Sequence, residues 1–131
     1  RIDRIRELLT SKQKQSVSDF KRYQMDQVSP YAKTIVPYIL KSFEGIKVKD
    51  KNLNISLDLL DKWDFELNKY SQTSAIYSVF LKYLLKNIYH DEMGDDLYNR
   101  FVFLANVPYR SLLQIFFFFF RCWSKFQFGI S

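Results

Sequence analysis

A chain of 131 residues with 47% hydrophobic content has room for one folded unit with a modest core and is too apolar for a disordered tract. Three glycines and three prolines are too few to punctuate the turns of an all-β domain, so long helical runs and a mostly α architecture are expected. The net charge of +6 arises from basic and acidic residues that alternate, as in Arg1-Ile2-Asp3-Arg4-Ile5-Arg6-Glu7, which describes a solvated helix face better than a phosphate track.

Ile2, Ile5, Leu8 and Leu9 recur at helical spacing with charges between them, which predicts an amphipathic opening helix of nine or ten residues. The chain starts at an arginine and shows none of the zones of a secretory signal, so a missing beginning is the expectation. Lys12 to Gln15 is a polar connector, and Ser16 with Asp19 forms a capping-box pattern that starts a second helix near Val17. Phe20 and Tyr23 or Gln24 are its expected inward residues. Ser29-Pro30 then breaks or kinks the path, because proline disfavours helical geometry in the residue before it and suits the first turn of a new helix. Tyr31, Ile35, Tyr38 or Ile39, and Phe43 keep the helical period, with a bend expected at Pro37 and closure at Gly45.

From Ile46 to Asn54 the composition predicts an exposed loop. Leu53, Ile55, Leu57 and Leu59 alternate as in a strand, yet Leu53, Leu57, Leu60 and Asp64 also fit a helix, and the scarcity of β-branched residues favours a helix ending near Trp63. Ser71, Thr73 or Ser74 can cap the next helix, whose predicted apolar stripe is Ile76, Phe80, Tyr83, Leu84 and Ile88, before Gly94. Asp95 or Asp96 starts a shorter helix through Phe103 or Leu104, stopped before Pro108.

Ile115 is followed by five phenylalanines, a composition expected to pack poorly as a helix face and without the alternation of a half-buried strand. With Leu112 and Leu113 the apolar stretch falls well short of the ~20 residues that cross a bilayer, so no membrane span is expected. The tail is either a segment that docks on further protein or a frame-shifted end. The second is preferred because phenylalanine codons are T-rich, and resequencing that leaves the Phe run in expressed protein would count against it. Cys122 is the lone cysteine, which excludes an internal disulfide, a zinc knuckle and a CxxC redox site.

The polar clusters have bland readings. His90, Asp91 and Glu92 are adjacent and cannot all face one ion from a helix. Asp58, Asp61 and Asp64 lack the loop spacing and central glycine of a calcium site and read as a polar helix face, with Asp64 capping or pairing locally. For Asp26 a structural hydrogen-bonding role is expected. The nine tyrosines and thirteen phenylalanines fall at helical spacing beside Ile and Leu, which favours core packing over base stacking.

The stretch Asp19-Phe20-Lys21-Arg22-Tyr23-Gln24-Met25-Asp26-Gln27-Val28-Ser29-Pro30-Tyr31-Ala32, then Pro37 and Leu40, then Leu60-Asp61-Lys62-Trp63-Asp64 and Ser74-Ala75-Ile76-Tyr77, resembles the helical part of the large (beta) chain of penicillin amidases, also called penicillin acylases. Gln24, Asp26, Ser29, Trp63 and Asp64 carry the motif. Phe65 departs from it, since the family usually has glycine after Trp-Asp. The resemblance is expected over residues 1–114, with 115–131 outside it. It implies a helical segment of an α+β (αββα) N-terminal-nucleophile hydrolase whose catalytic core sheet is largely absent from this chain.

In that family the precursor is cut to expose a serine whose own α-amino group, with an ordinary pKa of about 7.7–8.0, serves as base. An asparagine and a backbone N–H hold the oxyanion before an acyl-enzyme forms and is hydrolysed. By the same resemblance the asparagine and the serine lie upstream of Arg1, so no catalytic residue is expected here, and reading the gene upstream of Arg1 tests this. Arg1 resembles an arginine beside the active site and is the one active-site-supporting candidate. No cofactor is expected in this chain, calcium in the full-length enzyme having its ligands elsewhere. The implied partners are a small-molecule amide substrate and the remainder of the same precursor, with no nucleic acid. A periplasmic or secreted parent is implied by the resemblance alone. The competing reading is a small basic helical module that binds an acidic partner or nucleic acid.

Overall fold

The computed structural model describes residues 2–104 and 106–128, with side chains through residue 118. Among the described residues six helices follow one another: α1 (Ile2–Thr10), α2 (Val17–Gln24), α3 (Pro30–Ser42), α4 (Lys51–Asp61), α5 (Gln72–Val102) and α6 (Val107–Phe128). The fold is mostly α, and extended pairing among the described residues takes the form of an isolated antiparallel bridge between Val28 and Glu66. Where one folded unit is expected, the chain instead divides into two compact units, 1–78 and 79–131, with the division falling within α5. Contacts between helices neighbouring in sequence close locally, so each stretch builds a small core of its own. This division differs from the one at residue 114, which concerned the extent of the resemblance.

Local signals account for most helix starts. The Ser16 hydroxyl accepts from the Asp19 N–H at 3.2 Å while the Asp19 carboxylate accepts from the Ser16 N–H at 2.9 Å, a reciprocal capping box. Ser29 caps α3 by accepting from the Ala32 N–H, and Pro30 occupies the first turn, where its missing N–H costs nothing. Pro37 lies inside α3 without ending it. Helix α3 stops at Ser42, and Gly45 takes a left-handed φ of 75° in the turn beyond.

Other expectations need correction. The loop predicted for residues 46–54 ends at Asp50, whose carboxylate accepts from the Asn52 and Leu53 N–H groups at 2.7 and 2.9 Å and starts α4 there. Phe20 is 49% exposed and Gln24 is exposed, and the buried side chain of α2 is Asp19, because the capping box and Lys12 fold its carboxylate inward. Tyr83 is 60% exposed; the buried line along α5 is Tyr77, Leu81 and Leu85, with Phe80, Leu84 and Ile88 half-buried beside it. The Phe run is helical, since phenylalanine lacks any helix-breaking feature and costs little in propensity. Ile115 and Phe116 are half-buried and Phe117 and Phe118 exposed.

In the first unit the core is Ala32, Ile35, Val36 and Ile39 from α3 together with Leu60, Trp63 and Tyr77. Each fully buried aliphatic side chain contributes about 1.5–3 kcal/mol, so α3 is the principal anchor of this unit. The second unit buries Leu81, Leu85, Tyr98, Phe101, Pro108 and Leu112. There the Tyr89 and Phe101 rings meet at 4.9 Å, and the Tyr89 hydroxyl donates to Ser111 Oγ at 2.8 Å. Helix α5 breaks at Gly94, whose φ of 69° and ψ of 174° belong to a region used almost solely by glycine.

Candidate functional site

The motif residues converge on one construction within the first unit. The segment after α2 and the segment after α4 meet as two short extended stretches: the Ser29 N–H donates to the Phe65 carbonyl at 2.9 Å, and the Leu67 N–H donates to the Gln27 carbonyl at 3.0 Å. The Val28–Glu66 bridge lies between them. Two main-chain bonds thus clasp the start of α3 to the linker that leads into α5.

The side chains around this clasp serve its main chain. The Glu66 carbonyl accepts from the Ser74 hydroxyl at 2.9 Å, from the Asn68 N–H at 3.0 Å and from Trp63 Nε1 at 3.3 Å. Asp64 accepts from the Glu66 N–H at 3.0 Å, the local pairing expected of it. Ser74 in turn accepts from the Asn68 N–H, so its hydroxyl bridges both sides of the turn. Trp63 is buried, with its ring 5.2 Å from that of Tyr77 and 5.6 Å from that of Phe65.

Phe65 has a φ of 65°, the left-handed value for which the glycine of the family pattern is suited. A bulky residue there carries a backbone cost of about 1–2 kcal/mol, against which stands its ring contact with Trp63. Phe65→Ala and Phe65→Gly both delete the ring, but only glycine relieves the φ. The glycine variant should therefore be more stable than the alanine variant by about 1 kcal/mol in urea unfolding. Equal stabilities, or alanine ahead, would show that the turn is not left-handed at this residue.

Asp26 forms the second part of the site. Arg4 Nε and Nη2 donate to its two carboxylate oxygens at 2.9 and 2.5 Å, a bidentate fork in which each side chain is 16% exposed. Arg4 also pairs with Glu7 at 2.9 Å, and Lys33 of α3 reaches Glu7 at 3.8 Å. The Arg4 hydrogen bond holds the Asp26 and Glu7 carboxyls below the ordinary range, against the opposing effect of desolvation, and raises Arg4 itself. Lys12 and then Ser16 do the same to Asp19.

A carboxyl whose folded pKa lies below its unfolded value of about 3.9–4.3 stabilises the fold above that value and loses the contribution as pH falls through the folded pKa. The melting midpoint should therefore fall as the pH drops below about 4, and Asp26→Asn should flatten that acid limb. A midpoint that holds steady or rises on acidification would contradict these pairings.

An open cleft of ≈ 360 Å³ adjoins the fork, lined by Arg4, Glu7, Leu8, Ser11, Arg22, Tyr23 and Asp26. Ser11 is the nucleophile type present, 3.3 Å from the Tyr23 hydroxyl. Its hydroxyl proton goes to the Leu8 carbonyl, Tyr23 donates to Gln15, and the arginines have no lone pair with which to take a proton. The two carboxylates of the cleft, Glu7 and Asp26, are both engaged by Arg4.

Asp58 pairs with Lys62 at 2.8 Å, which raises the lysine, while Asp64 is held in its turn. Among the described residues no three His, Cys, Asp or Glu side chains are placed to hold one ion. His90 Nε2 lies 2.7 Å from Asp95 across the Gly94 break, with Asp91 and Glu92 exposed. No helix of the described residues is long and apolar enough to cross a membrane.

Of the motif residues, Asp26, Ser29, Trp63 and Asp64 are brought together in or beside the clasp, whereas Gln24 is exposed at the end of α2. Arg1 lies outside the described residues. Sequence reasoning missed the role of Arg4, whose partner is 22 residues away. It also missed that of Glu66, which acts through its main chain; the departure at Phe65 was the available signal that this turn is special.

This geometry defines a helical assembly whose shared motif organises the main chain. The model of the penicillin amidase family matches residues 1–124, running past Gln114 into and beyond the Phe run. The chain belongs to the penicillin amidase family, and its mostly helical fold is that of a helical part of an N-terminal-nucleophile hydrolase. No curated protein and no solved structure matches it.

Proposed function

We propose that this chain is a scaffold of an amide-bond hydrolase of the penicillin amidase type, supplying helices that support a catalytic core and no nucleophile of its own. The observation that carries this reading is the commitment of the family motif to the fold: Ser29 caps α3, Trp63 and Asp64 hold the Glu66 turn, and Asp26 is closed by Arg4. Groups already engaged in this way are poorly placed to take part in acyl transfer. The reacting serine, its α-amino base and the oxyanion asparagine belong to other parts of the parent protein. Arg1 is the residue of this chain that the family resemblance offers as support for them. The substrate of the parent enzyme is a small linear amide, and calcium, where the parent holds it, is bound by residues outside this chain.

Purified chain incubated with phenylacetyl amides, acyl-homoserine lactones and β-lactam amides should release no amine above the buffer rate. Turnover that disappears on substitution of one of the chain's own serines would overturn the proposal. In a full-length parent precursor, Arg1→Ala should lower kcat/KM, and an unchanged value would remove Arg1 from the active-site support.

A further inference from the structure

Helix α6 and the turn before it carry large apolar groups into solvent. Val107, Arg110, Gln114 and Phe117 stand at i, i+3, i+7 and i+10, which is one face of a helix, and all four are exposed, while Pro108 and Leu112 are buried on the other side. Phe103 and Leu104, in the turn just ahead, are 87% and 53% exposed. The Val107 N–H donates to the Leu104 carbonyl at 2.8 Å, which joins that turn to the head of the exposed face.

Single exposed apolar side chains need no explanation, but several gathered along one edge of a small unit mark a contact surface. Charge narrows what can cover this one. From Leu97 to Ser131 the sequence holds Arg100, Arg110, Arg121 and Lys125 and neither Asp nor Glu. Arg100 is paired with Asp96 at 3.1 Å, whereas Arg110 has no ion-pair partner among the described residues. A second copy docked by two-fold symmetry would set this face against itself, cation toward cation with no carboxylate to receive it. A protein partner would have to match the ridge of a helix with a groove. A bilayer with anionic headgroups takes such a ridge without shape matching, since Phe, Leu and Val enter the headgroup boundary while the guanidinium stays among the phosphates.

We propose that the outer face of α6, together with the Phe103–Leu104 turn, docks on the surface of an anionic lipid bilayer. The helix lies along the interface and does not cross it, in keeping with the lack of any described helix long and apolar enough to span a membrane. Phe103, Leu104, Val107 and Phe117 supply the apolar contact, and Arg110 supplies the attraction to phosphate. This inference goes beyond the scaffold reading and is independent of it, because it concerns a face that includes none of the motif residues.

The test is flotation of the whole chain with vesicles of mixed phosphatidylglycerol and phosphatidylcholine, against vesicles of phosphatidylcholine alone. Binding to the mixed vesicles should be at least about tenfold tighter and should weaken with added salt. Arg110→Glu, and separately the pair Phe103→Ser with Phe117→Ser, should each weaken it at least about tenfold while the circular dichroism stays that of wild type, since these side chains are exposed. Lys14→Glu makes the same charge change at an exposed position of the first unit and should leave binding within about twofold. No binding to the mixed vesicles would overturn the proposal, as would a Lys14→Glu loss equal to that of Arg110→Glu, which would reduce the effect to net charge. Retention on polyglutamate without vesicle binding would assign the face to an acidic protein instead. A dimer in sedimentation velocity that the double serine variant dissociates, again without vesicle binding, would assign it to a second copy.

Discussion

Trp63→Ala should destabilise the chain by about 3–5 kcal/mol in urea unfolding followed by circular dichroism. The indole is 8% exposed, packs against the rings of Tyr77 and Phe65, and donates to the Glu66 carbonyl. Its removal opens a cavity under the clasp and takes away one of three donors from a carbonyl that the turn depends on. Trp63→Phe keeps most of the apolar volume and loses the N–H, so its cost should be smaller than that of alanine. A Trp63→Ala variant that unfolds at the wild-type midpoint would mean that the α4–α5 linker is not held as described.

The second large effect is Ile35→Ala. Ile35 is fully buried on α3 between Ala32, Val36 and Ile39, also buried, so truncation should cost about 2–5 kcal/mol, with the spread set by how far the neighbours can close the gap. Tyr83→Ala, on the exposed side of α5, should stay within about 0.5 kcal/mol of wild type in the same assay. The contrast matters more than either value. A Tyr83 effect equal to that of Ile35 would restore the sequence-predicted stripe and contradict the observed burial.

That contrast also shows what could be read from residues alone. Signals that act within a few residues were legible: the Ser16–Asp19 box, the Ser29-Pro30 start of α3, helix in preference to strand at Leu53–Leu60, and the interruption at Gly94. Each rests on a local bond or on a dihedral that one residue type favours. Burial faces were less legible because apolar residues outnumber the places where they can be covered. Thus Phe20 and Tyr83 fit a helical stripe and are nonetheless exposed, while Asp19 is buried through its capping bonds.

The candidate site was legible as a set of motif residues and not as a construction. Ser29 and Phe65 pair through main-chain atoms, which carry no residue signature, and Arg4 and Asp26 resemble any other surface charges until the chain brings them together. The family pattern named Asp26, Ser29, Trp63 and Asp64 without indicating that they lock two linkers to each other. Phe65, standing where glycine is usual, pointed to a left-handed turn that only the backbone could confirm.

The central claim is that these helices support chemistry performed by groups elsewhere. Treating the purified chain with a sulfonyl fluoride, which modifies activated serine hydroxyls, and weighing the intact product gives the most direct test. The account predicts the unmodified mass. A stoichiometric adduct mapped to any serine of this chain, lost on denaturation before treatment, would contradict it.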